Sequence, residues 1–160
     1  MKTITTLLNH GKDGNVPELI VIHAMGEFIN DGTVRQHAVK FLDRCGLSAH
    51  SLIAPSGTNY RCRLDVQTAY HARGFNTNSL GLECLVEGEH GYASFIEAIK
   101  KPYLTEDQYQ AILDQTRHWL NAHDSIRKIA RHSDLSPGRK VDPGEGFPWG
   151  DFLHDLGWTE

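Results

Sequence analysis

Two histidines and one aspartate give this sequence a set of side chains that could bind a transition metal. His132 and Asp142 lie in the segment 130–149 (ARHSDLSPGRKVDPGEGFPW), where prolines and glycines restrict the backbone. His23 stands far upstream, at the end of an apolar run. Imidazole nitrogen and carboxylate oxygen are both zinc ligands, and catalytic zinc sites combine three protein ligands with an open position for water. The three residues therefore form a candidate zinc site.

Each candidate ligand also has an ordinary structural explanation. His132 and Asp142 are compatible with a surface turn that carries scattered charges. His23 is compatible with a core histidine whose ring has a satisfied hydrogen bond. Lys140 adds a cation just before Asp142, and it could equally be a brace of the loop, paired with a neighbouring carboxylate. Residue types alone leave these alternatives open.

The strands that would position these side chains follow from apolar periodicity. Residues 18–24 (ELIVIHA) predict a short buried strand that carries His23. Residues 49–54 and 58–64 predict two strands joined by a Pro-Ser-Gly turn. Short strands joined by such a turn form antiparallel hairpins, so we expect a half-buried hairpin here.

The predicted helices are read from capping residues and helical spacing. Thr33 could cap a helix that ends at Gly46, and its apolar positions fall on one face. Residues 105–122 predict an amphipathic helix, with Thr105 and Gln108 forming a capping box. Residues 149–156 predict a terminal helix or turn, and 126–130 a short strand leading to His132. Helices interleaved with strands indicate an α/β fold with a mixed central sheet flanked by helices.

A carboxylate interrupts the pattern of the strand predicted over residues 79–86. One face carries Leu80, Leu82, Cys84 and Val86, whereas Glu83 points to the other. One explanation is a salt bridge with an arginine or lysine across the sheet. The other is a general base, because a carboxylate beside a metal-bound water can take its proton and later protonate a leaving nitrogen.

Two stretches lack a regular pattern. Residues 65–78 predict a long surface loop, and loops of that length often line a site. His71 in this loop could contact a substrate or be an ordinary exposed imidazole. Residues 87–103 remain unassigned.

Length and composition exclude several classes of protein. The chain of 160 residues fits one domain, and 16 basic against 20 acidic residues, a net charge of -4, disfavour nucleic acid and anionic membranes as partners. Cys45, Cys62 and Cys84 lie in apolar patterns, so we expect three reduced core thiols and no disulfide. The amino terminus lacks a signal-peptide pattern and no segment is apolar enough to insert into a membrane, which predicts synthesis in the cytoplasm.

Four segments in one order carry a resemblance to a known family. They are VIHAMG, SAHSLIAPSGTNY, AYHARGFNTNSLGLECLVEG and ARHSDLSPGRKVDPGEGFPW, which together span roughly Leu19 to Trp149. The sequence resembles the zinc-dependent N-acetylmuramoyl-L-alanine amidases of the type 2 amidase family, which share their fold with peptidoglycan recognition proteins. The resemblance implies Zn²⁺ as the cofactor and a single catalytic domain over residues 1–160.

The resemblance also implies a role for individual residues. His23, His132 and Asp142 are the implied zinc ligands, Glu83 the catalytic carboxylate and Lys140 the lysine that stabilises an oxyanion beside the metal. Some phage members have a cysteine in place of Asp142, so this chain resembles the subtype with two histidines and an aspartate. Substrate contacts are expected from the following residues: His50, His71, Arg73 and Asn78.

The implied reaction is hydrolysis of the amide between N-acetylmuramic acid and the first L-alanine of the peptidoglycan stem peptide. The loop HARGFNTNSLG resembles phage endolysins, which favours a bacteriolytic enzyme that reaches the cell wall after holin-mediated release. A cytosolic amidase that recycles anhydro-muropeptides is the alternative. A peptidoglycan-binding module without activity is a third reading, since relatives that lost a metal ligand serve that purpose. We expect a monomer.

Overall fold

A seven-stranded mixed sheet forms the centre of the computed structural model, which describes residues 1–159. The strands are β1 (Thr3–Thr5), β2 (Leu19–Asn30), β3 (Arg35–His37), β4 (Ser51–Ile53), β5 (Asn59–Arg61), β6 (Ser79–His90) and β7 (Lys128–Arg131). The helices are α1 (Ala38–Arg44), α2 (Tyr92–Ala98), α3 (Glu106–Ala122), α4 (His132–Leu135) and α5 (Trp149–Leu156). This arrangement confirms the predicted α/β class with a mixed sheet flanked by helices.

The two longest strands, β2 and β6, lie side by side and run parallel. The order across the sheet is β1-β5-β4-β6-β2-β3, and β7 also pairs with β2. Strand β7 pairs with residues 19–22 of β2 and β3 with residues 28–30, so both lie on the edge of β2 away from β6. Along that edge, neither β7 nor β3 pairs with the middle of β2. A side chain from another segment can therefore approach His23 there.

One face of the central strands carries the main hydrophobic core. Ile20 and Ile22 of β2 and Leu80 and Leu82 of β6 are fully buried there, and α3 and α5 cover them. Trp119 and other apolar residues of α3 complete this layer. Because side chains of a strand alternate between faces, the residues between these positions project to the opposite side. His23 and Glu83 are among them.

Helix α3 matches its prediction at the amino terminus except for one side chain. Thr105 accepts a hydrogen bond from the backbone of Gln108 (3.1 Å), as a capping residue does. The predicted return contact from Gln108 is wrong, because its amide instead donates to the carbonyls of Ile53 and Leu85 (both 2.8 Å). Gln108 is fully buried and ties the helix to two strands, which is a tertiary contact that the local sequence does not specify.

Strand and helix bounds differ from the predictions where tertiary pairing decides. The β4–β5 hairpin is antiparallel as predicted, although each strand has only three residues. Strands β2 and β6 both extend well beyond the predicted apolar runs. The helix predicted from Thr33 begins only at Ala38, because Arg35–His37 instead pairs with the end of β2 and His37 caps the helix. The unassigned segment 87–103 contains the end of β6 and α2.

The cysteines are free, but they do not share one environment. Cys62 and Cys84 are buried, as predicted, whereas Cys45 is exposed. The prediction of three core thiols is therefore wrong for Cys45, which follows the last turn of α1 where the helix ends at the surface. Over residues 1–159 no helix has the length and apolar character needed to cross a bilayer.

Candidate active site

The floor of the site is formed by the parallel pair β2 and β6. His23 and Glu83 are direct partners in the register of these strands, so their side chains project from the same face. His23 is 1% exposed and Glu83 8% exposed. The distance from His23 Nδ1 to Glu83 Oε1 is 3.9 Å. The sheet therefore holds an imidazole and a carboxylate side by side at the bottom of a cleft.

The segment after β7 brings the other polar groups to this floor. His132 opens the short helix α4, and the loop that follows it returns Asp142 to the same point. The backbone N–H of Ser133 donates to the carbonyl of Asp142 (2.9 Å), which closes the loop next to both side chains. His132 and Asp142 are both buried.

The three predicted metal ligands converge on one point. His23 Nδ1 lies 2.9 Å from His132 Nδ1 and 3.2 Å from Asp142 Oδ2, and the last two atoms are 3.0 Å apart. Bonds of about 2.0–2.1 Å to a tetrahedral zinc ion correspond to ligand atoms roughly 3.3 Å apart. The triangle of two nitrogens and one oxygen is close to that size, so these residues fit a zinc ion with an open fourth position.

The ionisation of the triangle also suits a divalent cation. Burial lowers the pKa of His23, against the raising effect of the Asp142 carboxylate, so the ring is neutral near pH 7. Burial opposes ionisation of Asp142, but hydrogen bonds to His132 and His23 outweigh it and lower the pKa of the carboxyl below its ordinary value. A neutral imidazole and a carboxylate are the forms in which these side chains bind metal.

Glu83 has a perturbed environment of its own. Burial and the nearby Asp142 charge raise its pKa well above the ordinary value, while Lys140 acts in the opposite direction. A carboxyl whose pKa is shifted toward neutrality is suited to act as a general base. Within residues 1–159, no lysine or arginine nitrogen lies within 4.0 Å of Glu83, so the salt-bridge explanation has no partner there.

Lys140 lies on the wall of the same cleft. Its charge acts on both His23 and Glu83. Asp134, one carboxylate that could have braced it, instead pairs with Arg131 at 3.0 Å. In the described part of the chain, Lys140 makes no ion pair within 4.0 Å, either with Asp134 or with Glu145. Within that distance, its ammonium group is therefore not neutralised by a carboxylate of the described chain.

The cleft has a volume of about 420 Å³, and three further parts of the chain join the segment of Lys140 in forming its walls. The loop 65–78 forms one wall, α1 and the residues after it form a second, and α2 forms the third. Residues on these walls include Phe41, Leu47, Tyr70, Arg73, Asn76, Tyr92 and Phe95. The prediction that the long loop lines a site is borne out by this position.

The four predicted substrate contacts are placed very differently. Arg73 lines the cleft and is exposed. His50 is fully buried and its ring bonds to the backbone of Gly81 and Gln67, so a substrate contact there is wrong. Asn78 does not line the cleft and lies instead at the start of β6, near Glu18.

His71 does line the cleft, but both of its ring nitrogens are engaged within the protein. Nδ1 lies 2.8 Å from His23 Nε2, and Nε2 lies 3.0 Å from Ser79 Oγ. Both nitrogens thus have partners within the protein, and the ring is half-buried rather than an exposed imidazole. A substrate contact through His71 stays a prediction. Tyr92, which is 80% exposed, is a further cleft residue that the sequence does not identify, because its segment lacks a regular pattern.

Comparisons with known proteins agree with this geometry. Residues 13–145 match the N-acetylmuramoyl-L-alanine amidase family Amidase_2. The 1,6-anhydro-N-acetylmuramyl-L-alanine amidase AmpD of Escherichia coli is 29% identical over 163 aligned positions, covering 88% of this chain and 82% of that protein.

Solved structures show the same fold. The endolysin N-acetylmuramoyl-L-alanine amidase LysCS from Clostridium intestinale superposes with a TM-score of 0.75 at 22% identity, covering 99% of this chain and 97% of that one. AmpDh3 from Pseudomonas aeruginosa, in complex with anhydromuramic pentapeptide, has a TM-score of 0.69 at 23% identity, covering 91% and 62%. These likenesses confirm the expected type 2 amidase fold. With the family match spanning most of the sequence, the chain belongs to the N-acetylmuramoyl-L-alanine amidase family.

Proposed function

We propose that this amidase is a zinc hydrolase that cleaves the amide between the lactyl group of N-acetylmuramic acid and the first L-alanine of the stem peptide. The observation that carries the proposal is the triangle of His23 Nδ1, His132 Nδ1 and Asp142 Oδ2, with Glu83 beside it. These three residues would hold the ion. When bound, zinc supplies Lewis acidity and brings the pKa of a water to about 7.

The residues around the triangle supply the remaining chemistry. Glu83 is near enough to take a proton from the attacking water, and it then protonates the departing alanine nitrogen. Lys140 contributes positive charge where the lactyl carbonyl oxygen becomes an oxyanion. Arg73 is an exposed cation on the cleft wall and is suited to contact a carboxylate of the stem peptide.

The size of the natural substrate separates two roles. The similarity in sequence to an anhydro-muramyl amidase supports action on small anhydro-muropeptides, which we take as the first candidate. The second candidate is lysis of the intact wall after release by a holin, for which the similarity in fold to an endolysin from Clostridium intestinale is the support. Retention of all three ligand positions argues against a module that only binds peptidoglycan.

Product analysis tests the reaction. Purified protein should release the intact stem peptide from a synthetic N-acetylmuramyl peptide, and in H₂¹⁸O the heavy oxygen should enter the lactyl carboxylate. A zinc chelator should stop turnover, and added Zn²⁺ should restore it. Cleavage within the stem peptide, or full activity after verified metal removal, would contradict the proposal.

Parallel assays on two substrates then separate the roles. The same enzyme preparation is given intact sacculi and purified anhydro-muropeptides at equal concentrations of the scissile amide. A strong preference for the anhydro-muropeptides supports the recycling role, and a preference for sacculi supports the lytic role.

A further inference from the structure

A chain of buried hydrogen bonds runs from the back of His23 to a backbone carbonyl. His23 Nε2 lies 2.8 Å from His71 Nδ1, and His71 Nε2 lies 3.0 Å from Ser79 Oγ. Ser79 Oγ in turn lies 2.6 Å from the carbonyl oxygen of Phe75. The chain starts on the nitrogen of His23 that faces away from the candidate metal ligands.

The number of available protons determines which atom donates in each of these hydrogen bonds. A carbonyl oxygen can only accept, so the Ser79 hydroxyl donates its single proton to Phe75. Ser79 Oγ must therefore accept from the Nε2–H of His71. A neutral His71 then has a bare Nδ1, which accepts from the Nε2–H of His23. The proton of His23 is thereby held on Nε2, and Nδ1 keeps its lone pair.

The opposite arrangement would spoil the metal site. If His71 donated from both nitrogens, His23 Nε2 would have to accept, and a neutral His23 would carry its proton on Nδ1. That atom lies 2.9 Å from His132 Nδ1, within the triangle of candidate ligands. A protonated nitrogen has no lone pair for a metal.

The position of His71 is fixed by close packing as well as by hydrogen bonds. A Cβ atom added to Gly81 would lie 2.6 Å from both Cγ and Nδ1 of His71, so the ring lies directly against this glycine. The backbone N–H groups of His71 and Ala72 both donate to Asn76 Oδ1, at 3.1 and 2.8 Å. The ring therefore cannot move toward β6 and its backbone is anchored.

We propose that His71 is a positioning residue that, together with Ser79, selects the tautomer of His23 in which Nδ1 can bind the metal. The proposal rests on the proposed function, because it takes His23 as a ligand. His132 lacks such support, since within residues 1–159 its buried Nε2 has no hydrogen-bond partner. Groups that bond the far nitrogen of a metal-ligating histidine typically contribute about 10- to 100-fold to metal affinity.

Zinc affinity of a variant series is the first test. Competition with a chromogenic chelator gives the Kd for Zn²⁺ of the wild type and of each variant. His71→Leu fills similar space but cannot accept, so Kd should rise by about 10- to 100-fold. His71→Asn can still accept through its side-chain oxygen, and most of the affinity should return. Ser79→Ala removes only the group that orients His71, so a smaller rise is expected.

A buried hydroxyl elsewhere provides the matched control. Thr116 of α3 is fully buried, bonds the carbonyl of Ile112 and lies on the other face of the sheet. Thr116→Val should lower stability without changing the Kd for zinc. An unchanged Kd in His71→Leu would overturn the proposal, as would equal losses in His71→Leu and His71→Asn. Absence of zinc binding by the wild type would instead overturn the proposed function.

Nuclear magnetic resonance of the wild type makes the test independent of whether the variants fold. In the metal-free protein, ¹⁵N shifts of the imidazoles report which nitrogen carries the proton. We expect His71 and His23 both to be neutral and protonated at Nε2. A proton on Nδ1 of either ring would overturn the proposal, whatever the activity of the loaded enzyme.

Discussion

The two halves of the candidate site are held in place by different means. His23 and Glu83 lie on β2 and β6, where a long parallel ladder fixes the distance between them. His132, Lys140 and Asp142 lie on a segment whose regular structure is the four-residue helix α4. Residues on paired strands keep their positions through many backbone hydrogen bonds, whereas residues on a loop depend on a few specific contacts.

Those few contacts can be identified in the loop half. Gly146 donates its N–H to the carbonyl of Ile99 (2.7 Å), which docks the loop against the residue that follows α2. Gly144 has a φ of +83°, and a Cβ atom there would lie 2.4 Å from the same carbonyl oxygen. The loop half can therefore pack this closely against Ile99 only because these two positions are glycines. The strand half of the site should therefore tolerate substitution better than the loop half, whose position depends on a few contacts.

Removal of a ligand from either half should have the largest effect. His23→Ala on the strand and His132→Ala on the loop each leave an incomplete set of ligands. Activity should become undetectable, a larger loss than the roughly 10²- to 10⁴-fold contributed by a general base. Elemental analysis should find the zinc content reduced in both variants. Full activity of His132→Ala in chelator-treated buffer would refute the ligand assignment.

The chemistry of the strand half is tested through Glu83. Glu83→Gln keeps the shape of the side chain but cannot accept a proton, so kcat should fall by about 10²- to 10⁴-fold. Zinc content should stay at the wild-type level, because the residue is not one of the three candidate ligands. If turnover is near normal, Glu83 has a structural role only.

The chemistry of the loop half is tested through Lys140. If its charge stabilises the oxyanion as proposed, Lys140→Ala should lower kcat and kcat/KM together by about 10²- to 10³-fold, with zinc retained. Lys140→Arg should recover part of the loss, because the charge remains but its geometry changes. A raised KM at constant kcat, or a falling zinc content, would rule out this role.

The stability of the strands that carry His23 and Glu83 should depend on pH through His50. Burial lowers the pKa of this histidine from 6.5 to about 4. Because the folded pKa lies below the unfolded one, the unfolded state binds the proton first, and stability is lost as the pH falls from 6.5 toward 4. The loss from His50 alone should reach about 3 kcal/mol.

Denaturant unfolding of chelator-treated protein between pH 7 and pH 4 measures this contribution. His50→Asn keeps an acceptor for the N–H of Gly81 but does not titrate. The variant should be less stable than the wild type at pH 7, and its stability should fall less steeply with pH. Parallel curves for the two proteins would exclude His50 as the cause.

The smallest effect is expected from a substitution that disturbs the contact between the loop half and Ile99. Gly144→Ala should cost about 1–3 kcal/mol of stability through its positive φ and its approach to Ile99, and zinc should bind more weakly. Gly138→Ala is a matched control, since Gly138 has a similar φ of +77° but open space around its Cβ position. Equal zinc affinity in the two variants would show that the contact with Ile99 does not position the ligands.

Much of this molecule followed from the sequence by itself. Apolar alternation placed Glu83 on the face opposite Leu82 and Cys84, and the structure has it there. Helix α3 followed from its cap and its helical spacing, which are local properties of the chain. The residues that form the metal triangle were identified by their types and by resemblance to a family, and the α/β class followed from the order of the elements.

Other features were decided only by tertiary structure. Arg35–His37 became a strand because β2 offered a free edge, although Thr33 resembles a helix cap. His50 and His71 have the same predicted role. The structure buries His50 among backbone groups, whereas the ring of His71 contacts Nε2 of the candidate ligand His23. Which partners a polar ring meets depends on how distant segments pack together. No local pattern in the sequence contains that information.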